Sequence, residues 1–284
     1  SGGVSSGLVN GWVRRWTAGV RYDRNVFAPI GGQYPTSVLP PFRTTAYPYI
    51  GFGILEDDYR KVGDLNQIGR TEDQYFGTQF NVELGYDSTA FGATRNGAIL
   101  NANVLKGYQL TPLTQLFLTS TFTSRLEGGK ANNLILDGTA SWYWRWRADR
   151  VLYLFLGGTT THGLDPENQL LIGGDSGLRG YPLRYEAGTS RALFTIEQRF
   201  YTEWYPFRLA RFGAAIFADV GRTWGRDAVG DSTAGNLSDV GFGLRFGNTR
   251  SGLGNVLHID FAYPLVDGPG VKKLQVLVGT KQSF

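Results

Sequence analysis

Residues 274–284 read Leu-Gln-Val-Leu-Val-Gly-Thr-Lys-Gln-Ser-Phe, and the alternation within this stretch decides the fold. Leu274, Val276 and Val278 share one parity, whereas the other parity is mostly polar or glycine, with Leu277 as the exception. Successive side chains of a β-strand point to opposite faces of the sheet. The stretch therefore predicts a strand with one apolar face and one polar face.

The same period-2 alternation recurs along the whole chain, and helical periodicity is almost absent. Twelve segments of about ten residues or more are separated by turn residues. The longest connections between them are 24–44, 57–74 and 163–188. We therefore predict one all-β domain over residues 1–284. The segments cover residues 10–23, 45–56, 75–88, 97–110, 114–127, 132–147, 149–162, 189–203, 209–224, 237–248, 255–264 and 272–284.

Two architectures contain such strands: a soluble sandwich or barrel, and a membrane barrel whose apolar face meets lipid. The composition favours the membrane barrel, since a water-facing surface usually carries abundant lysine and glutamate. Charged residues make up only 18% of this chain, and lysine occurs 6 times and glutamate 8 times. We predict a transmembrane antiparallel β-barrel of about 12 strands. Large aromatic residues near the segment ends resemble interfacial girdles; they are Trp12, Trp16, Tyr22, Tyr86, Tyr108, Trp142, Trp146, Tyr201, Trp204, Tyr263 and Phe284.

Several classes of function are disfavoured by the composition. Cysteine is absent, which excludes disulfide and thiolate chemistry. The two histidines, His162 and His258, lie in no metal-binding spacing. The G-x-S-x-G elbow of hydrolases is missing, and the basic residues, 22 Arg and 6 Lys, are spread along the chain rather than clustered as in nucleic-acid binders. We therefore expect no catalytic residue, no metal, no cofactor and no nucleic-acid partner.

Residues 170–185 form the most informative connection and read Leu-Leu-Ile-Gly-Gly-Asp-Ser-Gly-Leu-Arg-Gly-Tyr-Pro-Leu-Arg-Tyr. Taken alone, the stretch is a glycine-rich loop between strands. A phosphate-binding loop is disfavoured because no Gly-Lys-Ser/Thr follows. The stretch closely resembles the loop signature of the outer-membrane-protein-85 superfamily, and the residues that carry the likeness are Gly173, Gly174, Gly177, Leu178, Arg179, Gly180 and Tyr181.

Three further motifs follow in the order that this family has. Glu197 lies in the strand after the loop; residues 217–221, Phe-Ala-Asp-Val-Gly, resemble the F-x-D-x-G wall motif; and residues 241–245, Gly-Phe-Gly-Leu-Arg, resemble the G-x-G-(L/I)-R motif. The resemblance implies that the loop at about 163–188 folds into the lumen and that its LRGY motif docks on the inner wall. The wall partners that it implies are Glu197, Asp219, Gly221 and Arg245.

The residues support the same docking independently of the resemblance. Glu197 and Asp219 have inward parity on neighbouring strands, so they form an acidic patch on the wall. Arginine can engage carboxylates through two parallel hydrogen bonds. We therefore predict that Arg179 bridges Asp219 and Glu197 and holds the loop in the lumen.

The resemblance also sets expectations about location and partners. It implies a bacterial outer-membrane protein, of the bacterial surface-antigen type, that contacts lipid and lipopolysaccharide. The terminal aromatic Phe284 resembles the signal that such barrels present to the barrel assembly machinery. Weak pairing at glycines 11, 19 and 279, on the first and last strands, leaves a homodimer open.

Two departures from the family bear on the function. The family's barrels generally have sixteen strands, with eleven before the loop, whereas we count seven before it. The periplasmic domains that receive client polypeptides in many members are also missing, which puts client handling in doubt. Three functions stay open: a non-enzymatic barrel acting in membrane biogenesis, translocation or lipid organisation; a passive pore for ions or small solutes; and the C-terminal anchor of a larger protein.

Overall fold

The computed structural model describes residues 1–29, 39–225, 235–248 and 256–281, and the chain is almost entirely β within them. Three short 3-10 helices lie at Thr89–Phe91, Gly174–Ser176 and Pro206–Arg208. The strands, in chain order, are β1 (Gly2–Val9), β2 (Trp12–Asn25), β3 (Arg43–Glu56), β4 (Tyr59–Gly63), β5 (Thr71–Tyr75), β6 (Thr78–Asp87), β7 (Gly97–Thr111), β8 (Thr114–Glu127), β9 (Lys130–Arg147), β10 (Arg150–His162), β11 (Leu170–Ile172), β12 (Glu186–Gly188), β13 (Ser190–Tyr201), β14 (Ala210–Trp224), β15 (Leu237–Asn248), β16 (Val256–Pro264) and β17 (Gln275–Lys281).

Thirteen of these strands form one large sheet, and their spatial order follows the chain order from β1 to β17. Every neighbouring pair is antiparallel, as in the β2–β3 pair, which runs from Trp12 opposite Glu56 to Asn25 opposite Arg43. Two small hairpins, β4–β5 and β11–β12, stand apart from this sheet. An antiparallel sheet of this size and order is the all-β, barrel-type architecture that the alternation predicts.

Each of the twelve predicted segments corresponds to one strand of the large sheet, and the bounds agree within a few residues. The thirteenth strand, β1, was missed. Residues 2–9 read Gly-Gly-Val-Ser-Ser-Gly-Leu-Val, so no apolar alternation marks them. They pair with β2 nevertheless, with an irregularity between Ser5 and Leu8. Backbone pairing in a hairpin thus overrides a sequence of low strand propensity.

The faces of the strands are inverted relative to a soluble protein. Outward side chains such as Ile216, Phe242 and Val278 are 55%, 52% and 66% exposed. Inward charged side chains such as Asp219 and Arg245 are 0% and 1% exposed. Apolar outside and polar inside is the pattern of a barrel surrounded by lipid.

Two apolar clusters fill the interior from opposite ends. Around the loop, Ile172, Leu178, Tyr181 and Leu237 are each at most 1% exposed. The other cluster surrounds the connection between β3 and β6 and consists of Leu65, Ile68, Tyr143, Val151, Tyr201, Ala215 and Val256. Residues 57–74, predicted as a plain connection, thus enter the interior as the β4–β5 hairpin.

No helix within the described ranges has the length and apolar character needed to cross a membrane.

Replacing Ile216 by arginine tests the orientation of the strands. We expect a loss of about 2–4 kcal/mol in folding free energy in phospholipid vesicles, because a charge on the lipid face is costly near the midplane. Thr121→Arg is the matched control, since Thr121 lines an inner cavity, and it should cost less than about 1 kcal/mol. Urea-dependent folding into vesicles measures both, and equal costs for the two variants would contradict the assignment of the outer face.

Candidate functional site

The candidate site is the tip of the connection between β10 and β13, where it meets the inner wall. The chain turns sharply there: Gly173 and Gly177 have φ of 127° and 110°, a region that only glycine adopts readily. Tyr181 closes the tip, since its N–H donates to the carbonyl of Leu178 at 3.1 Å and its carbonyl accepts from the N–H of Gly174 at 3.1 Å. This short closed turn directs the side chain of Arg179 at the wall.

Arg179 makes the central contact of the site. Its Nε and Nη2 donate to the two carboxylate oxygens of Asp219 at 2.8 and 3.1 Å. Its Nη1 donates to Oε2 of Glu197 at 2.7 Å. The guanidinium carbon also lies 3.3 Å from the centre of the Phe217 ring, a stacked cation–π geometry. We call Arg179, Glu197 and Asp219 the loop lock.

Further charged side chains of β13, β15 and β16 surround the loop lock. Arg199 donates to Glu197 at 3.0 Å, and Arg245 lies 2.5 Å from Asp260 and 3.6 Å from Glu197. Asp260 also lies 3.7 Å from Arg179. Three guanidinium groups therefore contact three carboxylates, which makes the burial of these charges tolerable, and the buried carboxyl group of Asp239 on β15 lies opposite Asp219.

The protonation of the two loop residues suits their contacts. Burial alone would lower the pKa of Arg179. The carboxylates of Asp219 and Glu197 raise this pKa by more than burial lowers it, so the net shift is upwards and the guanidinium stays charged. Burial also raises the pKa of the Tyr181 phenol. Its hydroxyl therefore keeps its proton and donates to the carbonyls of Ser238 and Val266 at 2.9 and 3.2 Å.

Glycines on both sides of the contact leave room for these side chains. A Cβ on Gly180 would lie 2.5 Å from the Cβ of Asp239. On the wall, a Cβ on Gly221 would lie 3.2 Å from the side chain of Leu178. The loop tip thus approaches β14 and β15 at backbone contact distance.

Close contacts also require glycine at both glycine positions of the 241–245 motif. A Cβ on Gly241 would lie 2.5 Å from the ring of Phe217, the ring that stacks under Arg179. One on Gly243 would overlap Asp260 and the guanidinium of Arg245. The motif therefore combines one buried arginine with the space that its ion pair and the stacked ring need.

The structure brings together the loop and wall residues that the sequence predicts. The predicted C-terminal signal, Phe284, lies outside the described residues. Arg199 and Asp260 also belong to the cluster and were not predicted. A signal for both was present, because each has the same inward parity as a predicted partner, Arg199 with Glu197 and Asp260 opposite Gly243 on the neighbouring strand. Within the described residues, no group of three His, Cys, Asp or Glu side chains could hold a metal ion.

An antiparallel barrel-type sheet with apolar outer faces and an inserted loop fastened to its inner wall defines a transmembrane β-barrel with a lumenal loop. The Omp85 superfamily domain matches residues 106–284, well over half of the chain. The chain therefore belongs to the Omp85 superfamily, whose barrels are bacterial outer-membrane proteins. The match includes every residue of the loop lock.

Solved structures agree with this assignment at the level of the fold. The chain is similar to CdiB from Escherichia coli, with a TM-score of 0.54 and 14% sequence identity. The likeness covers 98% of this chain and 51% of CdiB, so the chain spans about half the length of that protein. No curated protein matches the chain in sequence.

Removal of the central guanidinium tests the loop lock. Arg179→Ala leaves Asp219 and Glu197 short of a buried partner, which should lower the free energy of unfolding by about 3–5 kcal/mol. Thermal unfolding in detergent measures the loss. Arg184→Asn removes an exposed arginine from the same loop and should leave the melting temperature unchanged. An unchanged melt for Arg179→Ala would show that the lock carries no stability.

Gly180→Ala tests the close approach of the tip without altering a charge. The added methyl group would overlap Asp239, so we expect the loop tip to be displaced and the barrel to lose about 1–3 kcal/mol. Gly138→Ala is the control, because the nearest atom to its Cβ would be 3.8 Å away. Denaturation in detergent compares the two. Equal stability of the two variants would show that backbone contact at Gly180 does not limit the docking of the loop.

Proposed function

We propose that this chain is a non-enzymatic barrel of the bacterial outer membrane that acts in translocation or outer-membrane biogenesis. Membership of the Omp85 superfamily supports this, since its members are transporters and insertases rather than enzymes. The observation that carries the proposal is the arrangement of the lumen. The locked loop occupies the side of β10 and β13–β16, with a cavity of about 540 Å³ beside it, and β2, β3 and β6–β8 border a separate open polar cavity.

The open cavity has a volume of about 490 Å³ and lies along the inner faces of β2, β3, β6, β7 and β8. Six uncharged polar side chains lie on its wall, and Gly51 and Gly53 widen it. Three charged side chains also line it: Arg15, and Arg21 and Glu83, which form an ion pair at 3.0 Å. The amides and hydroxyls of the lining belong to Thr17, Asn81, Asn101, Asn103, Thr121 and Thr123.

The registers arrange these groups in a continuous row across the wall. Gly53 lies opposite Asn81, Asn81 opposite Asn103, and Asn103 opposite Thr121. Amide and hydroxyl groups both donate and accept hydrogen bonds. They can therefore replace water around the backbone of an extended polypeptide. This chemistry suits the passage or handling of a polar chain.

A passive pore for ions or small solutes is the second candidate, and the same cavity favours it. The two functions differ in what the cavity has to admit. Lipid, lipopolysaccharide and the barrel assembly machinery are the partners that we propose for either function, and a homodimer stays a prediction.

Filling the cavity in the source bacterium separates the two functions. Asn103→Trp places a large ring in the open half of the lumen, whereas Val104→Trp places it on the 40% exposed outer side of the same strand. In a strain that lacks the chromosomal gene, we expect Val104→Trp to restore the set of outer-membrane and secreted polypeptides and Asn103→Trp to fail.

Two readouts are compared in these strains: mass spectrometry of outer-membrane and secreted polypeptides, and uptake of a small hydrophilic dye. Loss of dye uptake in the Asn103→Trp strain, with an unchanged set of polypeptides, would contradict the proposal and support the passive pore. An unchanged set of polypeptides in the deletion strain itself would also contradict it.

A further inference from the structure

The β4–β5 hairpin, residues 57–77, enters the barrel from the end opposite the locked loop. β10 runs towards the loop, and the strands alternate in direction from β10 back to β3. β3 therefore ends at the opposite mouth, where the hairpin leaves the sheet. We call residues 57–77 the mouth hairpin.

The tip of the mouth hairpin is ordered by its own polar groups. One carboxylate oxygen of Glu72 accepts hydrogen bonds from the N–H groups of Leu65, Asn66 and Gln67 at 3.0, 2.8 and 2.9 Å. The N–H of Asp64 donates to the carbonyl of Arg70 at 2.9 Å, which closes the turn. A tip built in this way keeps its shape independently of the wall.

Two apolar side chains of the tip are buried as deeply as core residues. Leu65 is 1% exposed and Ile68 is 2% exposed. Their neighbours come from the far side of the barrel and include Tyr143 of β9, Val151 of β10 and Val256 of β16. The mouth hairpin therefore extends from the β3–β6 side of the opening to the opposite wall.

Polar contacts fasten the tip to that far wall. The Tyr201 hydroxyl donates to the carbonyl of Asp64 at 2.8 Å, and Arg145 donates to the same carbonyl at 2.9 Å. Arg199 donates from Nη1 to the carbonyl of Leu65 at 3.1 Å. Buried carbonyls at a turn need such donors, so the wall supplies what the tip lacks.

Arg199 connects the mouth hairpin to the loop lock. While its Nη1 binds the hairpin, its Nε donates to one oxygen of Glu197, whose other oxygen accepts from Arg179. Arg199 is 2% exposed. The buried side chain of Arg199 thus contacts the mouth hairpin directly and is connected to the locked loop through Glu197.

We propose that the mouth hairpin is a second plug, which closes the barrel at the end opposite the locked loop, and that Arg199 couples its seating to the loop lock. This inference goes beyond the proposed function, and it requires the barrel to conduct rarely while the hairpin is seated. It concerns the path through the lumen, and no client is needed to test it.

Conductance of the purified chain in planar bilayers tests the plug. L65S/I68S removes both apolar anchors, and we expect it to convert a quiet barrel into one with frequent open steps. K61S/D73S is the matched control, because Lys61 and Asp73 face each other on the exposed part of the same hairpin. It should behave like the unmodified chain. Equal conductance of a folded L65S/I68S variant and the control would overturn the plug.

Cysteine labelling covers the case in which L65S/I68S fails to fold, and the chain has no native cysteine to interfere. We expect Ile68→Cys to react with a membrane-impermeant maleimide at least about tenfold more slowly than Lys61→Cys, since labelling a seated residue requires local opening. Equal rates would show that the tip is not seated and would overturn the proposal.

The coupling has its own readout. Leu178→Cys reports on the loop, where Leu178 is 0% exposed, and Ile68→Cys reports on the hairpin. Adding Arg199→Gln to either reporter should accelerate labelling about tenfold at both positions, because both segments lose a buried partner. Arg184→Asn should change neither rate. Acceleration at one position alone would overturn the coupling.

Discussion

The guanidinium of Arg179 determines which side chains the inner wall can carry. A buried cation requires carboxylates close by, and here Asp219 and Glu197 meet it from β14 and β13. Those carboxylates place a further negative charge in the same space, and Arg199 of β13 and Arg245 of β15 supply positive charge beside Glu197. One residue of a loop thereby constrains the inward positions of consecutive strands, and the same strands need glycine wherever the cluster takes up space.

The charged cluster constrains only the inner face of the sheet, which explains why the outer faces of the strands still resemble each other. Outward positions face lipid, so they carry apolar residues that need no specific neighbour. Inward positions each contact a specific partner. On β14, outward Ile216 and Val220 are interchangeable in kind, whereas inward Phe217, Asp219 and Gly221 each have a distinct contact. The motifs that identify the superfamily lie on the face where side chains have specific partners.

The same difference sets how much could be predicted from the sequence. The twelve alternating strands could be predicted, and so could the pairing of Arg179 with Glu197 and Asp219, because parity and charge are local properties. Strand β1 could not, since its glycines and serines show no alternation and its place depends on pairing with β2. The mouth hairpin could not be predicted either, because its Leu65 and Ile68 pack against residues of distant strands. Arg199 had the right parity, but its second partner is a backbone carbonyl, for which the sequence contains no signal.

Filling the lumen from both ends divides the barrel into two unlike halves. Strands β9, β10 and β13–β16 contact the locked loop or the mouth hairpin, so their inner side chains are ordered by buried ion pairs and apolar contacts. Strands β2, β3 and β6–β8 border the open polar cavity, but Arg43 of β3 and Arg125 of β8 also form ion pairs with Asp165 of the locked loop. Movement of either side of the wall away from the loop would therefore separate charges that are already out of water, because the ion pairs of Arg179 and of Arg125 are both buried. The loop thereby holds the two sides of the wall together, from Arg43 and Arg125 on one side to Glu197 and Asp219 on the other.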